Sequence, residues 1–268
     1  MQALDQFSII DFHTHIFPDK LAVKAADNIS TYYSLPREGD GTLQTLKRLS
    51  HDLLIKAYIV SSAATSAKNV CVANDFMAEQ ASRDKQLVGL GTTHTAFKNQ
   101  EKELERIISL GLKGIKLHCD FQGFPIDDPG MDAVYKKASE LKLPILFHLG
   151  DENTDFTTPR RMRNVIDRHP DLIVIAAHMG GYLHMEASKE LLVGLPIYFD
   201  TSEWNNIMRK DELVQMCRDH GIERILFGCD YPIYSTYSAA TALYEAGFTE
   251  EELVKIFYSN ASTLLQIS

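Results

Sequence analysis

The chain has 268 residues, of which 36 are acidic and 27 basic, so its formal net charge is −9 with histidine neutral. Hydrophobic residues make up 45% and charged residues 24%, which is typical of a globular protein and excludes a disordered chain or a disulfide scaffold. The acidic balance argues against nucleic-acid binding, which needs clustered Lys and Arg. The length suits a single large domain, so we expect residues 1–268 to form one.

Eight short apolar runs, most of them continuous rather than alternating, are typical of strands that are covered on both faces. They are Phe7–Phe12, Ile55–Val60, Leu87–Leu90, Gly114–Leu117, Ile145–Phe147, Leu172–Ala177, Ile197–Phe199 and Arg224–Phe227. Stretches between them have apolar residues at the three- and four-residue spacing of amphipathic helices. They include Asn69–Asp84, Asn99–Leu110, Met131–Leu141, Pro159–Arg168 and Asp211–His220.

This alternation predicts an α/β fold of parallel strands with right-handed crossovers, most economically a (β/α)8 TIM barrel. An open, doubly wound sheet is the alternative. The long connection Pro18–Gly41 could be a cap or lid. Ala239–Leu265 is predicted as two or three helices that close the barrel, and Thr249–Glu252 resembles a capping box at the start of one of them.

The four cysteines are widely spaced, and none forms a Cys-x-x-Cys pair. They are Cys71, Cys119, Cys217 and Cys229. Such thiols are typical of a reducing compartment. No apolar run reaches the roughly 18 residues that a membrane helix needs, and Met1–Asp5 has neither the basic nor the apolar region of a signal peptide. We therefore expect a cytoplasmic protein that does not enter the membrane.

Titratable residues stand repeatedly where a predicted strand ends. They are Asp11, His13 and His15 on the first strand, then His94, Lys116, His118, His148, His178, Asp200 and Asp230. In a barrel the carboxyl ends of all strands face one mouth, where active sites lie. Burying an imidazole or carboxylate without a partner costs several kcal/mol, so this pattern favours a functional site over core packing.

His13 and His15 are two residues apart, so their side chains point to the same face of a strand and could bind one cation. His148 and Asp230 could supply further ligands, because imidazole and carboxylate suit zinc and other first-row metals. Asp11, on the same face, is either a partner that fixes the tautomer of a ligand or a member of a structural ion pair.

The other titratable residues have less specific interpretations. Lys116 could be a carbamylated ligand, a substrate contact or a buried ion-pair partner, and the non-ligand interpretations are favoured. His94 and His118 stay open between a supporting and a structural role. Four histidines in helical or loop stretches are expected at the surface: His51, His169, His184 and His220.

The chain resembles the amidohydrolase superfamily, specifically the amidohydrolase-2 group of TIM-barrel metal-dependent hydrolases. The matching segments, in the order of the family, are Ile10–His15, Gly114–His118, Pro144–His148, Ile175–Gly181 and Ile225–Pro232. The resemblance implies that His13, His15 and His148 are metal ligands. It implies that Asp230 binds the metal or takes a proton from its water, and that His178 polarises the substrate or moves a proton.

The amidohydrolase-2 group mostly has single-metal sites without a carbamylated lysine, so the resemblance implies one divalent ion, with zinc expected. It implies an enzyme that hydrolyses a lactone, ester or amide of a small molecule. The alternative is a non-oxidative decarboxylase similar to aminocarboxymuconate semialdehyde decarboxylase. Because such decarboxylases are usually longer, the compact chain favours the hydrolase.

Substrate contacts are expected from His118, Lys116, Arg160, Trp204 and Tyr231. Arg160 could bind a carboxylate or lie in solvent at a helix start, and Trp204 could line the pocket or pack on the rim. Two rival functions stay open, a non-catalytic metal-binding barrel and a Schiff-base aldolase that uses Lys116. A homodimer through helical faces is compatible with the sequence.

Overall fold

A computed structural model describes residues 4–267. Within this range eight strands alternate with helices. The strands are β1 (Ser8–His15), β2 (Leu54–Ser61), β3 (Leu87–Gly89), β4 (Ile115–Leu117), β5 (Ile145–Phe147), β6 (Val174–Ala176), β7 (Tyr198–Asp200) and β8 (Ile225–Leu226). Met1, Gln2 and Ala3, on which the signal-peptide expectation partly rests, lie outside the described residues, as does Ser268.

Thirteen α-helices lie between and after these strands in the described range. They are α1 (Asp19–Tyr33), α2 (Leu43–Leu49), α3 (Val70–Arg83), α4 (Gln100–Ser109), α5 (Cys119–Gln122), α6 (Asp132–Glu140), α7 (Pro159–Arg168), α8 (Met185–Leu191), α9 (Trp204–Ile207), α10 (Lys210–His220), α11 (Thr236–Tyr244), α12 (Glu250–Val254) and α13 (Asn260–Leu265). Each predicted strand and helix overlaps an observed one. β5 and α7 match residue for residue.

The described residues divide into two compact units. The first runs up to Val60, includes Lys85–Leu87 and resumes at Thr201, while the second comprises Ser61–Asp84 and Val88–Asp200. The single domain expected over residues 1–268 stays a prediction.

In the first unit, the chain that follows β8 runs beside β1. The amide of Phe12 donates to the carbonyl of Phe227 at 2.7 Å, and further along His15 N–H donates to Tyr231 C=O at 2.8 Å. These partners explain why β1 continues to His15 although the apolar run ends at Phe12. Both predicted histidine ligands therefore lie within the strand.

In the second unit, β4, β5, β6 and β7 are neighbours in chain order and pair in parallel. Ile115 is in register with Ile145, and Ile145 with Val174. Every residue of β4, β5 and β6 is buried, as expected for strands that are covered on both faces. The helices between these strands are the crossovers that parallel pairing requires.

The long connection Pro18–Gly41, predicted as a possible cap or lid, begins with the helix α1, which occupies more than half of it. Small side chains allow a close approach of this helix to the chain that follows it. Ala22 and Ala26 are fully buried, and Gly41 has a left-handed φ of 80°, where an added Cβ would lie 3.0 Å from the carbonyl oxygen of Ala22. No described helix is long and apolar enough to span a membrane.

The predicted capping box is confirmed at α12. Thr249 Oγ1 accepts from the amide of Glu252 at 3.2 Å, and the Glu252 carboxylate accepts from the amide of Thr249 at 2.8 Å. The same carboxylate receives two hydrogen bonds from the Arg218 guanidinium at 2.7 and 3.0 Å. The bonds from Arg218, followed by those from Thr249, lower the pKa of Glu252 to about 2.

We expect Glu252→Gln to lower the free energy of unfolding by about 1 kcal/mol at pH 7, because it weakens the cap and the ion pair. The folded-state pKa is depressed, so this stabilisation is complete above the ordinary pKa of 4.5 and is lost as pH falls toward 2. Denaturation of the wild type and the variant between pH 2 and 7 checks this. A difference that does not shrink below pH 4.5 would contradict it. Glu250→Gln, in the same turn, is the control.

Candidate active site

Three donor atoms converge at the carboxyl ends of β1 and β8 in the first unit, and we call His13, His15 and Asp230 the β1–β8 cluster. The two Nε2 atoms of His13 and His15 lie 3.2 Å apart. Asp230 Oδ1 is 3.3 Å from Nε2 of His13 and 3.2 Å from Nε2 of His15. The predicted i, i+2 arrangement therefore brings both imidazoles to one carboxylate oxygen.

The spacing of the β1–β8 cluster fits a divalent metal ion. An ion with tetrahedral bonds of about 2.0–2.1 Å holds its ligand atoms roughly 3.3 Å apart. The His13 side chain is fully buried, whereas 12% of the His15 side chain and 16% of the Asp230 side chain are exposed. The cluster is therefore largely desolvated and reachable from one side, as a catalytic ion with an open coordination position requires.

The position of Asp230 is set by its own backbone and by hydrogen bonds from the neighbouring chain to the buried carboxylate of Asp11. Asp230 has a left-handed φ of 59°, which is uncommon for a non-glycine residue, and its N–H donates to the carbonyl of His13 at 2.8 Å. One Asp11 oxygen accepts from the amides of His13 (3.3 Å) and Cys229 (3.1 Å), and the other accepts from the Thr236 hydroxyl (2.7 Å). Burial raises the pKa of Asp11 to about 6.

Asp11 thus joins β1 to the chain after β8 through their backbones. The structure shows no bond from its carboxylate to the His13 ring among the described contacts. The ring nitrogen Nδ1 of His13 instead lies 3.1 Å from Ser202 Oγ. Sequence reasoning did not single out Ser202 or Thr236, because a serine or threonine in a loop is a common residue with no chemical signature of its own.

The second unit contains another group of predicted residues, His118, His148 and His178 together with Asp120, which we call the β4–β6 cluster. The rings of His118 and His148 stack at 3.8 Å with 8° between their planes. His178 Nε2 lies 3.0 Å from His148 Nδ1. Asp120 Oδ2 lies 3.8 Å from His118 Nδ1 and 4.0 Å from His148 Nε2.

The hydrogen bonds of His148 define its tautomer. Its Nε2 lies 2.8 Å from the carbonyl oxygen of Gly150, which can only accept, so Nε2 carries the proton and Nδ1 carries the lone pair. His178 Nε2–H then donates to that lone pair. Burial, followed by the neighbouring His118 and His178, holds the pKa of His148 well below its usual value, so the ring is neutral.

Asp120 was not predicted as a site residue. Its carboxylate accepts hydrogen bonds from the hydroxyls of Thr154 and Thr157, the latter at 2.7 Å. Burial raises the pKa of Asp120 despite these bonds. Asp120 therefore anchors the loop after β5. In the sequence, the only sign of such a role is that Asp120 follows His118 by two residues.

The predicted substrate contacts differ in accessibility. Lys116 is fully buried within β4, Trp204 is buried at the start of α9, and Arg160 is exposed in the first turn of α7. Tyr231 is buried, with its hydroxyl donating to the carbonyl of Thr42 at 2.9 Å. A substrate-binding role for these residues and for His118 stays a prediction.

Two other histidines have clear surroundings. His94 uses both ring nitrogens on the backbone, at 3.1 Å from the carbonyl of Gln122 and 3.0 Å from the amide of Ala96, and these contacts favour the structural interpretation. His220, expected at the surface, is only 1% exposed. That expectation is wrong because His220 follows Leu213 and Met216 on the buried face of α10 at helical spacing. His51 is exposed, and His169 and His184 are half-buried.

A family model described as amidohydrolase (amidohydrolase-2) matches residues 10–267. The chain belongs to this family. The resemblance deduced from its motifs is therefore confirmed. No curated protein matches the chain significantly.

Solved structures show the fold. The uncharacterized TIM-barrel protein Bb4693 of Bordetella bronchiseptica superposes with a TM-score of 0.79 at 16% identity, over 97% of this chain and 99% of that one. The predicted (β/α)8 fold class is therefore confirmed.

Other similar structures are named either as decarboxylases or as a hydrolase. Dihydroxybenzoic acid decarboxylase of Polaromonas sp. JS666, with bound manganese and the inhibitor 2-nitroresorcinol, has a TM-score of 0.73 at 18% identity, covering 97% of each chain. A probable 2-pyrone-4,6-dicarboxylic acid hydrolase of Acinetobacter baumannii, with bound citric acid, has a TM-score of 0.73 at 15% identity, over 97% of this chain and 99% of that one. Decarboxylases of 5-carboxyvanillate and of 2,6-dihydroxybenzoate are also similar. The chain itself is an enzyme of the amidohydrolase-2 family, and proteins with names of both kinds share its fold.

We expect Tyr231→Phe to lower the free energy of unfolding by about 1 kcal/mol, because it removes the hydrogen bond to Thr42. The Tyr231 ring lies against Gly39, where an added Cβ would come within 2.1 Å of it, so Gly39→Ala should destabilise the protein more. Denaturant unfolding checks both variants. A stable Tyr231→Phe protein with a raised KM would instead assign the hydroxyl to the substrate.

Proposed function

We propose that the protein is a metal-dependent, non-oxidative decarboxylase of a small aromatic or unsaturated carboxylic acid. The observation that supports it most is the convergence of His13, His15 and Asp230 on one point with the spacing of metal ligands. The choice of decarboxylation is supported by the similarity to decarboxylases of 5-carboxyvanillate, dihydroxybenzoic acid and 2,6-dihydroxybenzoate. This reverses the preference for hydrolysis that chain length suggested.

One divalent ion is part of this proposal. Two imidazoles and a carboxylate favour zinc but also accept manganese, the ion bound in the similar dihydroxybenzoic acid decarboxylase. The assignment of His148 as a further ligand is also part of it. The bare Nδ1 of His148 gives that ring one lone pair to offer, which His178 Nε2–H otherwise occupies.

When bound, the ion would act as a Lewis acid toward oxygen atoms of the substrate and stabilise negative charge on them. In decarboxylation the bond between the substrate carbon and its carboxylate breaks, CO2 leaves, and the electron pair that stays on the carbon takes a proton. We assign this proton transfer to Asp230, whose partly exposed side chain beside both imidazoles would take a proton from solvent water and pass it to the carbon. His178 carries a proton on Nε2 that can be donated to a substrate oxygen.

Hydrolysis is the second candidate, favoured by the similarity to the probable 2-pyrone-4,6-dicarboxylic acid hydrolase. In this reaction Asp230 takes a proton from the attacking water and returns it to the leaving group. His178 Nε2–H donates to the oxyanion that forms at the carbonyl carbon of a lactone, ester or amide. The same two side chains thus have roles in both reactions.

The wild-type protein, purified without chelator or metal-affinity resin, should contain about one equivalent of zinc or manganese by plasma mass spectrometry. Asp230→Asn and the double variant His13→Ala/His148→Ala should lose it, because the first removes the negative charge of the carboxylate and the second removes two imidazoles. His51→Ala changes an exposed histidine and is the control. A wild type that stays metal-free after incubation with Zn, Mn and Co would overturn the proposal.

Release of CO2 from a panel of aromatic and muconate-type acids distinguishes the candidate reactions. We expect CO2 and, in D2O, one deuterium on the carbon that lost the carboxylate, both abolished in Asp230→Asn. Turnover of lactones or esters without CO2 would favour the hydrolase. An adduct trapped by borohydride and lost in Lys116→Arg would instead indicate the Schiff-base aldolase, and a metal-loaded protein without turnover would indicate a binding protein.

We also propose a cytoplasmic location. All four cysteines are free thiols, and three of them are buried. This supports a reducing compartment.

A further inference from the structure

We propose that Gln122 is a positioning residue that fixes His118 to the loops after β2 and β3 and thereby sets where His118 meets the substrate. Gln122 is the last residue of the short helix α5, which follows β4 at the end of the strands where the active sites of this fold lie. Sequence reasoning did not single it out. The service of His118 to catalysis rests on the proposed function, whereas its fixation by Gln122 does not.

The side-chain amide of Gln122 is buried, and the structure gives a partner to each of its polar groups. Gln122 is 4% exposed. Its Nε2 donates to the carbonyl oxygens of Ala64 at 3.0 Å and Thr93 at 2.7 Å, while its Oε1 accepts from the amide of His118 at 3.0 Å. Main-chain carbonyls only accept and main-chain amides only donate, so these partners define both the orientation of the side-chain amide and the direction of each bond.

Both main-chain polar groups of His118 are bound to Gln122. Besides the bond to Oε1, the carbonyl of His118 accepts from the main-chain amide of Gln122 at 2.9 Å. The His118 ring lies between two parallel rings, those of Phe121 at 3.9 Å and His148 at 3.8 Å. A displacement of Gln122 would therefore move His118 within this stack and away from its present place beside His148.

The loops after β2 and β3 are held together without Gln122. The amide of Thr92 donates to Asn74 Oδ1 at 2.7 Å, and Asn74 Nδ2 donates to the carbonyl of Thr92 at 3.1 Å. The amide of Ala64 donates to Thr92 Oγ1 at 3.4 Å. The two carbonyls that receive Gln122 Nε2 thus belong to a fixed support, and Gln122 carries the position of this support to His118.

The first test measures amide hydrogen exchange in the wild type, in Gln122→Met and in the matched control Gln86→Met. Methionine is about as long as glutamine but has no amide group, so Gln122→Met removes all three side-chain bonds. Gln86 also donates to a carbonyl, that of Ile55 at 2.9 Å, but at the opposite ends of β2 and β3. We expect the amide of His118 to exchange about tenfold faster in Gln122→Met and at the wild-type rate in Gln86→Met. Equal rates in the wild type and Gln122→Met would overturn the inference.

A second measurement needs no variant and so does not depend on the folding of Gln122→Met. In NMR spectra of the wild type, the two side-chain amide protons of Gln122 should exchange slowly. They should also show hydrogen-bond couplings to the carbonyl carbons of Ala64 and Thr93. Fast exchange of both protons without such couplings would overturn the inference.

Kinetics separate positioning from a merely structural role. On the acid that the wild type decarboxylates fastest, Gln122→Met should lower kcat/KM about 100-fold, chiefly through a higher KM. Its metal content should stay that of the wild type, because no bond of the Gln122 side chain involves a member of the β1–β8 cluster. Gln86→Met should lose stability without this change.

A folded Gln122→Met protein with the KM and kcat of Gln86→Met would overturn the role of Gln122 in substrate binding. If the wild type releases CO2 from no acid of the panel, the proposed function fails. The exchange rate of the His118 amide then still decides whether Gln122 fixes His118.

Discussion

The candidate metal centre depends on the backbone pairing between β1 and the chain that follows β8. The amide of Asp230 donates to the carbonyl of His13, and the amide of His15 donates to the carbonyl of Tyr231. These two bonds bring a carboxylate from residue 230 to imidazoles near the N-terminus. Because each bond joins main-chain atoms, the distance between the donors is set by strand geometry rather than by flexible side chains, which is how a preorganised site is obtained.

Each unit also contains a buried carboxylate that fixes the backbone or a loop beside its histidines. Asp11 accepts from two amides and a hydroxyl, and Asp120 accepts from the hydroxyls of Thr154 and Thr157. Removing a carboxylate from water is costly, and in each case several donors offset that cost. Burial nevertheless raises the pKa of both groups. What each provides is a fixed loop or strand end beside a group of histidines.

The strands, the helices and most residues of the candidate site could be predicted from apolar periodicity and from the chemistry of the side chains at strand ends. His13 and His15 could be placed on one face because strand side chains alternate, and Asp230 could be added because it follows the eighth apolar run. Two features were not predictable in this way. The main-chain partners of β1 near His15 lie more than 200 residues away along the chain. Ser202 has no unusual chemistry until its hydroxyl meets Nδ1 of His13. The burial of His220 could have been predicted, because helical spacing places it on the same face of α10 as Leu213 and Met216, but its polar side chain suggested the surface instead.

One ligand set can serve both decarboxylation and hydrolysis because both reactions develop negative charge on oxygen and both need a nearby proton carrier. In hydrolysis water attacks a carbonyl carbon and the proton goes to the leaving group, whereas in decarboxylation a carbon–carbon bond breaks and the proton goes to carbon. Which of the two occurs depends on how the loops orient the substrate. The loop after β5 is suited to such variation. It is anchored to Asp120 at Thr154 and Thr157, whereas Glu152 and Asn153 are exposed. Substitutions at these exposed positions would leave the two anchoring hydrogen bonds to Asp120 intact, and with them the histidines of the β4–β6 cluster.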